Sequence, residues 1–353
     1  MIMSFLIYGA SGFTGTLIVE LAIKQGKKPV IGGRNEAKIK SLAEKYGLEY
    51  LIFDLNNQAN IVKQLKKFPL VLNCAGPFTR TAQPLVEACL TTQTHYLDIT
   101  GEIEVFELVK SYHQKALASK IVLMPGVGFD VVPTDCMAKL LHTKLPDATH
   151  LELGFTNVGG SVSHGTMTTM LENLGNTGAA RENGVIVPKP MGDKGKIIDF
   201  GKFKHFAMTI PWGDVSTAYH TTGIPNIETY VGVPKLAYWS MKLQFLFNPI
   251  LRSRFIKKQL QNYVDKKITG PTEHQSQKGQ SFIWGKATNT EGKTVEARLV
   301  TPEGYKLTAE ASLLITQKIL DLNNVAGYQT PAGLFGYELV KEIRGATFEK
   351  EPR

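Results

Sequence analysis

Short apolar runs alternate with longer amphipathic stretches over the first third of the chain. The runs fall at residues 4–9, 29–33, 49–53, 69–74, 95–98 and 121–124. Runs this short and this apolar fit strands buried on both faces of a parallel sheet. Between them, about 13–26, 35–46, 57–67, 81–92 and 103–119 repeat apolar positions at helical spacing. Six strands joined by right-handed helical crossovers predict a doubly wound α/β domain. Pro125-Gly-Val-Gly128 punctuates its end.

The pattern changes from about residue 130. A helix is expected at about 134–144, then Thr149-His-Leu-Glu-Leu-Gly-Phe-Thr156 alternates as an antiparallel strand does. Gly/Ser/Thr-rich turns, a helix near 164–174 and a long irregular region to about 230 follow. A strand near 294–300 then precedes a helix at 306–321. This predicts a second, α+β domain with a mixed sheet. The expected division is 1–130 for the first domain and 131–329 for the second. A tail helix at about 330–345, with Pro331 near its first turn, is expected to return to the first domain.

The first apolar run enters Gly9-Ala-Ser-Gly-Phe-Thr-Gly15, and a helical pattern starts at once. The frame is Gly-x-x-Gly-x-x-Gly. Gly9 ends the strand, Gly12 lets backbone approach a phosphate, and Gly15 allows helix and strand to pack closely. N–H groups at the helix start then face the anion. Gly9, Ser11, Gly12, Phe13, Thr14 and Gly15 are therefore expected to bind a dinucleotide in a Rossmann fold. A tight structural turn is the alternative.

The second run ends Ile31-Gly-Gly-Arg-Asn35. No acid stands where one would bind a ribose 2′-OH. Arg34 instead offers a fork suited to phosphate, with Lys38 one turn on. NADP(H) is the expected cofactor, with Arg34 and Asn35 at its 2′-phosphate end. Asp54 could meet the adenine edge or cap the next helix. Ala75, Gly76, Pro77 and Phe78 leave the fourth strand at the switch point, where ligands bind in open α/β sheets. A turn fixed by Pro77 would explain the same residues.

Composition narrows the picture slightly. Cys74, Cys89 and Cys136 are odd in number, form no disulfide framework and fit a reducing compartment. No His or Cys spacing suits zinc, so no metal is expected. The expected location is cytoplasmic, without a leader, since a strand begins almost at Met1. The net charge of +9 is uneven: residues 235–267 hold eight Lys/Arg against Asp265.

Several phrases together carry a resemblance. They are Gly9 to Gly15, Gly32-Gly-Arg34, Asn73-Cys-Ala-Gly-Pro-Phe78, Leu85-Val-Glu-Ala-Cys89, Thr94-His-Tyr-Leu-Asp-Ile-Thr-Gly-Glu102 and Gly126-Val-Gly-Phe-Asp-Val-Val-Pro-Thr-Asp135. The chain resembles the saccharopine dehydrogenase-like oxidoreductases, and within them the trans-acting enoyl reductases. The likeness is dense over residues 1–136 and gives almost nothing between about 180 and 290. It implies a Rossmann domain, an NADP-type cofactor and a second domain that closes over the nicotinamide. It leaves the substrate open.

Hydride transfer needs placement of cofactor and substrate, and often a proton donor. Asp98, Glu102 and Asp130 are catalytic candidates near strand ends; helix capping is the competing role for each. Tyr-x-x-x-Lys occurs three times, at Tyr238/Lys242, Tyr263/Lys267 and Tyr337/Lys341, never on a helix after the fourth strand, and is set aside. Ser163-His164-Gly165-Thr166 could bind a substrate carboxyl or cap a helix. Saccharopine is rich in carboxylates and would want converging arginines. Between 81 and 353 only Arg181 and Arg298 lie outside the basic stretch and the tail arginines. A lipid-like enoyl compound, or a C=N metabolite, suits the chain better.

Residues 237–258 interleave aromatic and basic side chains. Such a segment can lie on an anionic membrane, shelter a hydrophobic tail, or pack on its own domain or a second copy in a homodimer. Nucleic acid is not expected, because no recognition motif accompanies the charge. The reading is an NADP(H)-dependent oxidoreductase, with a non-catalytic NADP-binding sensor or membrane-associated module as the alternative.

Overall fold

The computed structural model describes residues 5–159, 163–172, 175–242, 253–267 and 279–350. They divide into two compact units. The first joins Met1–Val132 to Tyr305–Leu334, and the second joins Pro133–Gly304 to Phe335–Arg353.

The first unit runs β1 (Leu6–Tyr8), α1 (Phe13–Lys24), β2 (Val30–Gly33), α2 (Glu36–Tyr46), β3 (Tyr50–Ile52), α3 (Gln58–Leu65), β4 (Leu70–Asn73) and α4 (Phe78–Thr92). It continues with β5 (His95–Asp98), α5 (Ile103–Ser111), α6 (His113–Ser119) and β6 (Val122–Met124). The strands are parallel, in the order β6-β5-β4-β1-β2-β3, with Leu6 beside both Val30 and Val71. Every residue of β1, β2, β4 and β6 is buried, which is why these strands read as continuous apolar runs. The connections reverse direction between β1 and β4, and the ends of strands at such a point are where ligands bind in open α/β sheets. The helix expected over 103–119 is divided at Tyr112, whose φ of −85° and ψ of 3° lie outside the helical region.

The second unit begins with α7 (Val132–Lys144), β7 (Ala148–Val158), α8 (His164–Glu172), β8 (Gly178–Glu182), β9 (Val185–Lys189), β10 (Gly195–Asp199) and β11 (Lys204–Thr209). Then come α9 (Asp214–Thr222), β12 (Asn226–Gly232), α10 (Lys235–Lys242), α11 (Arg254–Lys267), β13 (Gln280–Asn289) and β14 (Thr294–Pro302). Its sheet is mixed: β7 pairs parallel with β12 and antiparallel with β13. Ile198, Phe200, Tyr230, Phe282 and Trp284 pack into one core cluster. The region expected to be irregular up to 230 in fact holds five strands and a helix. One of its hairpins turns at Asn183–Gly184, where φ is 50° and 80°, the paired positive angles of a tight hairpin turn.

The chain returns to the first unit with α12 (Gly304–Asp321), β15 (Gly327–Tyr328) and α13 (Pro331–Phe335). This return at Tyr305 precedes the boundary expected from sequence. β15 adds to the parallel sheet beside β6. The tail is not one helix: Gly336, at φ 75°, ends α13, and a 3₁₀ turn over Tyr337–Glu342 leads to β16 (Thr347–Lys350) in the second unit's sheet. No described helix is long and apolar enough to cross a membrane. Of the basic aromatic segment, residues 243–252 lie outside the described residues.

Candidate functional site

The turn from β1 into α1 is built on close backbone approaches. Gly9 has φ 81°, and a Cβ there would stand 2.6 Å from the Ala75 nitrogen. A Cβ on Gly15 would stand 2.5 Å from the Gly9 carbonyl oxygen. Both sites admit no side chain, so α1 is drawn hard against β1 and the strand β4 exit. The Gly12 N–H donates to the Gly9 carbonyl at 3.0 Å, and Thr16 makes the first intrahelical bond, to Gly12. The N–H groups of Phe13, Thr14 and Gly15 therefore precede the helical ladder. Ser11 and Gly12 form the rim of this turn.

Among the helices that follow β1 to β4, α1 starts differently. Asn35 caps α2 by accepting from the Lys38 N–H at 3.0 Å, with Glu36 in the first turn. Asn57 caps α3 in the same way. The carboxylate of Glu102 accepts from the Phe78 and Thr79 N–H groups at 3.2 and 3.3 Å, and so covers the start of α4. At α1 the cap is Gly12, no side chain caps it, and the first turn holds no acid. Its positive end is left for a ligand anion. Phe13 is held by an edge-on ring contact to Tyr305 of α12, centroids 5.0 Å apart.

At the end of β2 and in the first turn of α2, Arg34 and Lys38 are both exposed. Gly33 also has a packing role, since a Cβ there would come within 3.2 Å of Ile39. Tyr8 donates to the Phe53 carbonyl at 3.1 Å. Burial, and then Asp54, push its phenol up to about 12, while Arg34 pulls the other way. Arg34 and Asp54 thus both act on the Tyr8 hydroxyl. Asp54 accepts from the Asn56 N–H at 3.0 Å and stays exposed; the helix after it is capped by Asn57.

Behind the β4 exit lies a buried relay. The Asn73 side chain accepts from the Ala75 N–H at 3.0 Å and donates to Thr81 and to the Tyr96 hydroxyl. Tyr96 donates to Asp98 at 2.8 Å. Asp98 also accepts from the Thr100 and Gly126 N–H groups. These bonds fix the exit from β4 that carries Ala75, Gly76 and Pro77 into Phe78 of α4. Burial is the main reason the Asp98 carboxyl is raised to about 6. Burial also pushes the Cys74 thiol far up, so it is no nucleophile.

Asp130 follows β6 on the same edge of the sheet. Its carboxyl lies over Gly101, where a Cβ would meet its Oδ2 at 2.7 Å. Burial first, and then the charge of Glu102, raise it to about 7. Among the described residues it makes no bond to the start of α7, where Val132 donates to the Gly128 carbonyl. The loop before it is pinned by Thr308 of α12, whose hydroxyl accepts from the Phe129 N–H at 3.0 Å. Tyr305 and Thr308 escaped the sequence reading because they approach the site from nearly three hundred and nearly two hundred residues away. Ser163 bonds to the Thr166 N–H and hydroxyl and so serves the start of α8. Among the described residues no cluster of three His, Cys, Asp or Glu side chains could hold a metal.

Residues 5–124 match the family model described as the saccharopine dehydrogenase NADP binding domain. The saccharopine dehydrogenase-like oxidoreductase of Rattus norvegicus is 27% identical over 201 residues, covering 50% of this chain and 47% of that protein. The Homo sapiens protein of the same name is 30% identical over 149 residues, 36% of this chain and 35% of its own. A Mycobacterium tuberculosis protein named for trans-acting enoyl reductase activity is 29% identical over 181 residues, 48% of this chain and 43% of its own. The matches span about half, or less, of the length of these relatives. The solved apo saccharopine dehydrogenase (L-Glu forming) of Saccharomyces cerevisiae aligns with TM-score 0.65 at 10% identity, over 99% of this chain and 100% of that one, which is a likeness of fold. The turn that admits no Cβ, the uncapped helix start and the Gly-Gly-Arg strand end all lie inside the matched segment. The chain thus carries an NADP-binding domain of the saccharopine dehydrogenase type, and through it is related to the saccharopine dehydrogenase-like oxidoreductases.

Proposed function

We propose that this protein is an NADPH-dependent reductase of a C=C or C=N bond in an uncharged, lipid-like metabolite, an enoyl compound being the favoured substrate. The observation that carries the reading is Asp130: a carboxyl raised to about 7, over Gly101 at the ligand edge of the sheet. Reduction of an activated double bond needs a hydride on one atom and a proton on its neighbour. Bound NADPH would supply the hydride. The residues that fit it are the N–H groups of Phe13, Thr14 and Gly15 for the pyrophosphate, and Arg34 with Lys38 for the 2′-phosphate.

Asp130 supplies the proton. A carboxyl with this pKa is still half protonated near neutrality, when an ordinary aspartic acid has lost its proton. Glu102, fixed on the α4 N-terminus, keeps a negative charge beside it and favours the protonated form. Asp98 and the Asn73–Tyr96 relay do not reach outward; they hold the β4 exit in place. Asp98 and Glu102 are thus positioning residues and Asp130 the acid.

The uncharged substrate class is supported in the second unit. Arg181 is spent on the Val215 and Gly184 carbonyls and stacks on Tyr219. Arg298 donates to the Asp199 carbonyl and pairs with Asp199 and Glu296. Neither is left for a substrate carboxylate. The relation to the mycobacterial protein named as an enoyl reductase points the same way.

The test is NADPH oxidation across a panel of enoyl thioesters and imino acids. Turnover with an enoyl thioester, lost in Asp130→Asn while NADPH affinity is kept, is the expected result. Tight NADPH binding without turnover on any member would favour a redox sensor instead.

A further inference from the structure

Away from the dinucleotide site, α10 turns large apolar side chains to the outside. Tyr238 is its inward anchor, with its ring 5.0 Å from that of Phe206. Leu236 and Trp239 point the other way and are 80% and 64% exposed. Lys235 lies four residues before Trp239, so it shares its face and begins the row with an exposed cation. The Lys242 ammonium instead turns over the Tyr238 ring, 5.5 Å from its centroid, and donates to the Asp193 carbonyl at 2.8 Å.

α11 repeats the arrangement. Val264 is buried and Gln261 bonds to Thr168 of α8, which fixes the inner face. Phe255 and Tyr263, eight residues apart and so on one side of the helix, are 66% and 60% exposed, with exposed Lys258 between them. From residue 235 to 267 the sequence holds eight Lys/Arg against one acid, Asp265, which accepts a bond from Gln261.

We propose that the outer faces of α10 and α11 form a docking surface for an anionic lipid membrane. Aromatic rings favour the headgroup layer, where an apolar body and a polar edge are both accommodated. Lysines flanking them reach anionic headgroups while their stems lie along apolar surface. The described exposed charges beside these rings, Lys235 and Lys258, are cations and offer no complement to a second copy of themselves. A two-fold contact between copies would press one row of cations against its duplicate. An anionic lipid surface supplies the missing charge and buries the rings at once. The surface is independent of the reduction chemistry.

The test is co-sedimentation of the whole protein with phosphatidylcholine vesicles, with and without phosphatidylserine. Binding that needs phosphatidylserine and weakens in high salt is expected. Lys235→Glu should weaken it by roughly tenfold, since each cation near such a surface is worth about fivefold and the change also adds an anion. Leu236→Ser with Trp239→Ser should weaken it by roughly a hundredfold, from the apolar area no longer buried. Both variants should keep the wild-type melting temperature and NADPH affinity, which separates lost docking from lost folding. Three results would each overturn the proposal: no vesicle binding by the wild type, undiminished binding by Lys235→Glu, or a change in oligomeric state of the double variant without lipid, which would assign the face to a second copy.

Discussion

Replacing Asp130 by Asn should stabilise the folded protein at alkaline pH while it abolishes turnover. The Asp130 carboxyl titrates near 7 when folded, against 3.8 for the free group. Below about pH 4 it is protonated in both folded and unfolded chains and contributes nothing. Between about 4 and 7 the folded protein holds a proton that the unfolded chain has released, so stability falls as pH rises. Above about 7 the full cost of an ionised, half-buried carboxylate is present. Three units at about 1.4 kcal/mol each give an upper bound of about 4 kcal/mol. An amide of the same shape carries no such cost. The advantage of Asp130→Asn over wild type should therefore grow by about 2–3 kcal/mol between about pH 5 and pH 8. Any pH-independent packing difference cancels in that comparison. Urea unfolding of both proteins at the two pH values, with slopes compared as well as midpoints, measures it. An advantage that is the same at both pH values would refute the assignment of Asp130 as a carboxyl kept protonated by its surroundings. The proton donor would then have to be sought elsewhere.

Three further outcomes follow from the site. Arg34→Ala should weaken NADPH by about 10- to 100-fold, the worth of one charge-assisted bond, and leave NADH almost unchanged in a fluorescence titration; equal losses would place the 2′-phosphate elsewhere. Gly15→Ala puts a Cβ 2.5 Å from the Gly9 carbonyl oxygen, which is backbone and cannot swing aside. It should cost about 1–3 kcal/mol in urea unfolding and remove NADPH binding. Tyr96→Phe deletes the hydroxyl between Asn73 and Asp98 and leaves both buried groups one bond short, so a loss of about 1–3 kcal/mol is expected by thermal unfolding, with NADPH affinity reduced through the displaced Ala75 turn.

The first unit was legible because its central strands are buried on both faces and therefore consist of unbroken apolar runs. The Gly9–Gly15 spacing, the Gly32-Gly-Arg34 strand end and the Asn73–Phe78 exit are local features and could be read directly. What escaped was nonlocal. The Glu102 carboxylate covers the first turn of a helix that begins twenty-four residues earlier in the chain. From the sequence it could be read only as a residue of its own helix start or as a catalytic acid. Tyr305 and Thr308 lie on α12, which the sequence placed in the other domain. In the second unit β8, β9 and β10 have five residues each and are partly exposed, so their alternation is weak against surrounding turns. The Asn183-Gly184 pair was a readable hairpin signal, and Gly336 a readable helix stop; both were missed because the flanking apolar pattern was faint.

Hydride transfer from NADPH to an acceptor double bond is the activity we propose for this chain. Its most direct measurement is a single-turnover reaction with NADPH deuterated at the transferring carbon, followed by mass analysis of an enoyl thioester product. One deuterium on the reduced carbon, with the partner hydrogen drawn from solvent, is the predicted result. Bound, unconsumed NADPH and no deuterium in any product would contradict it.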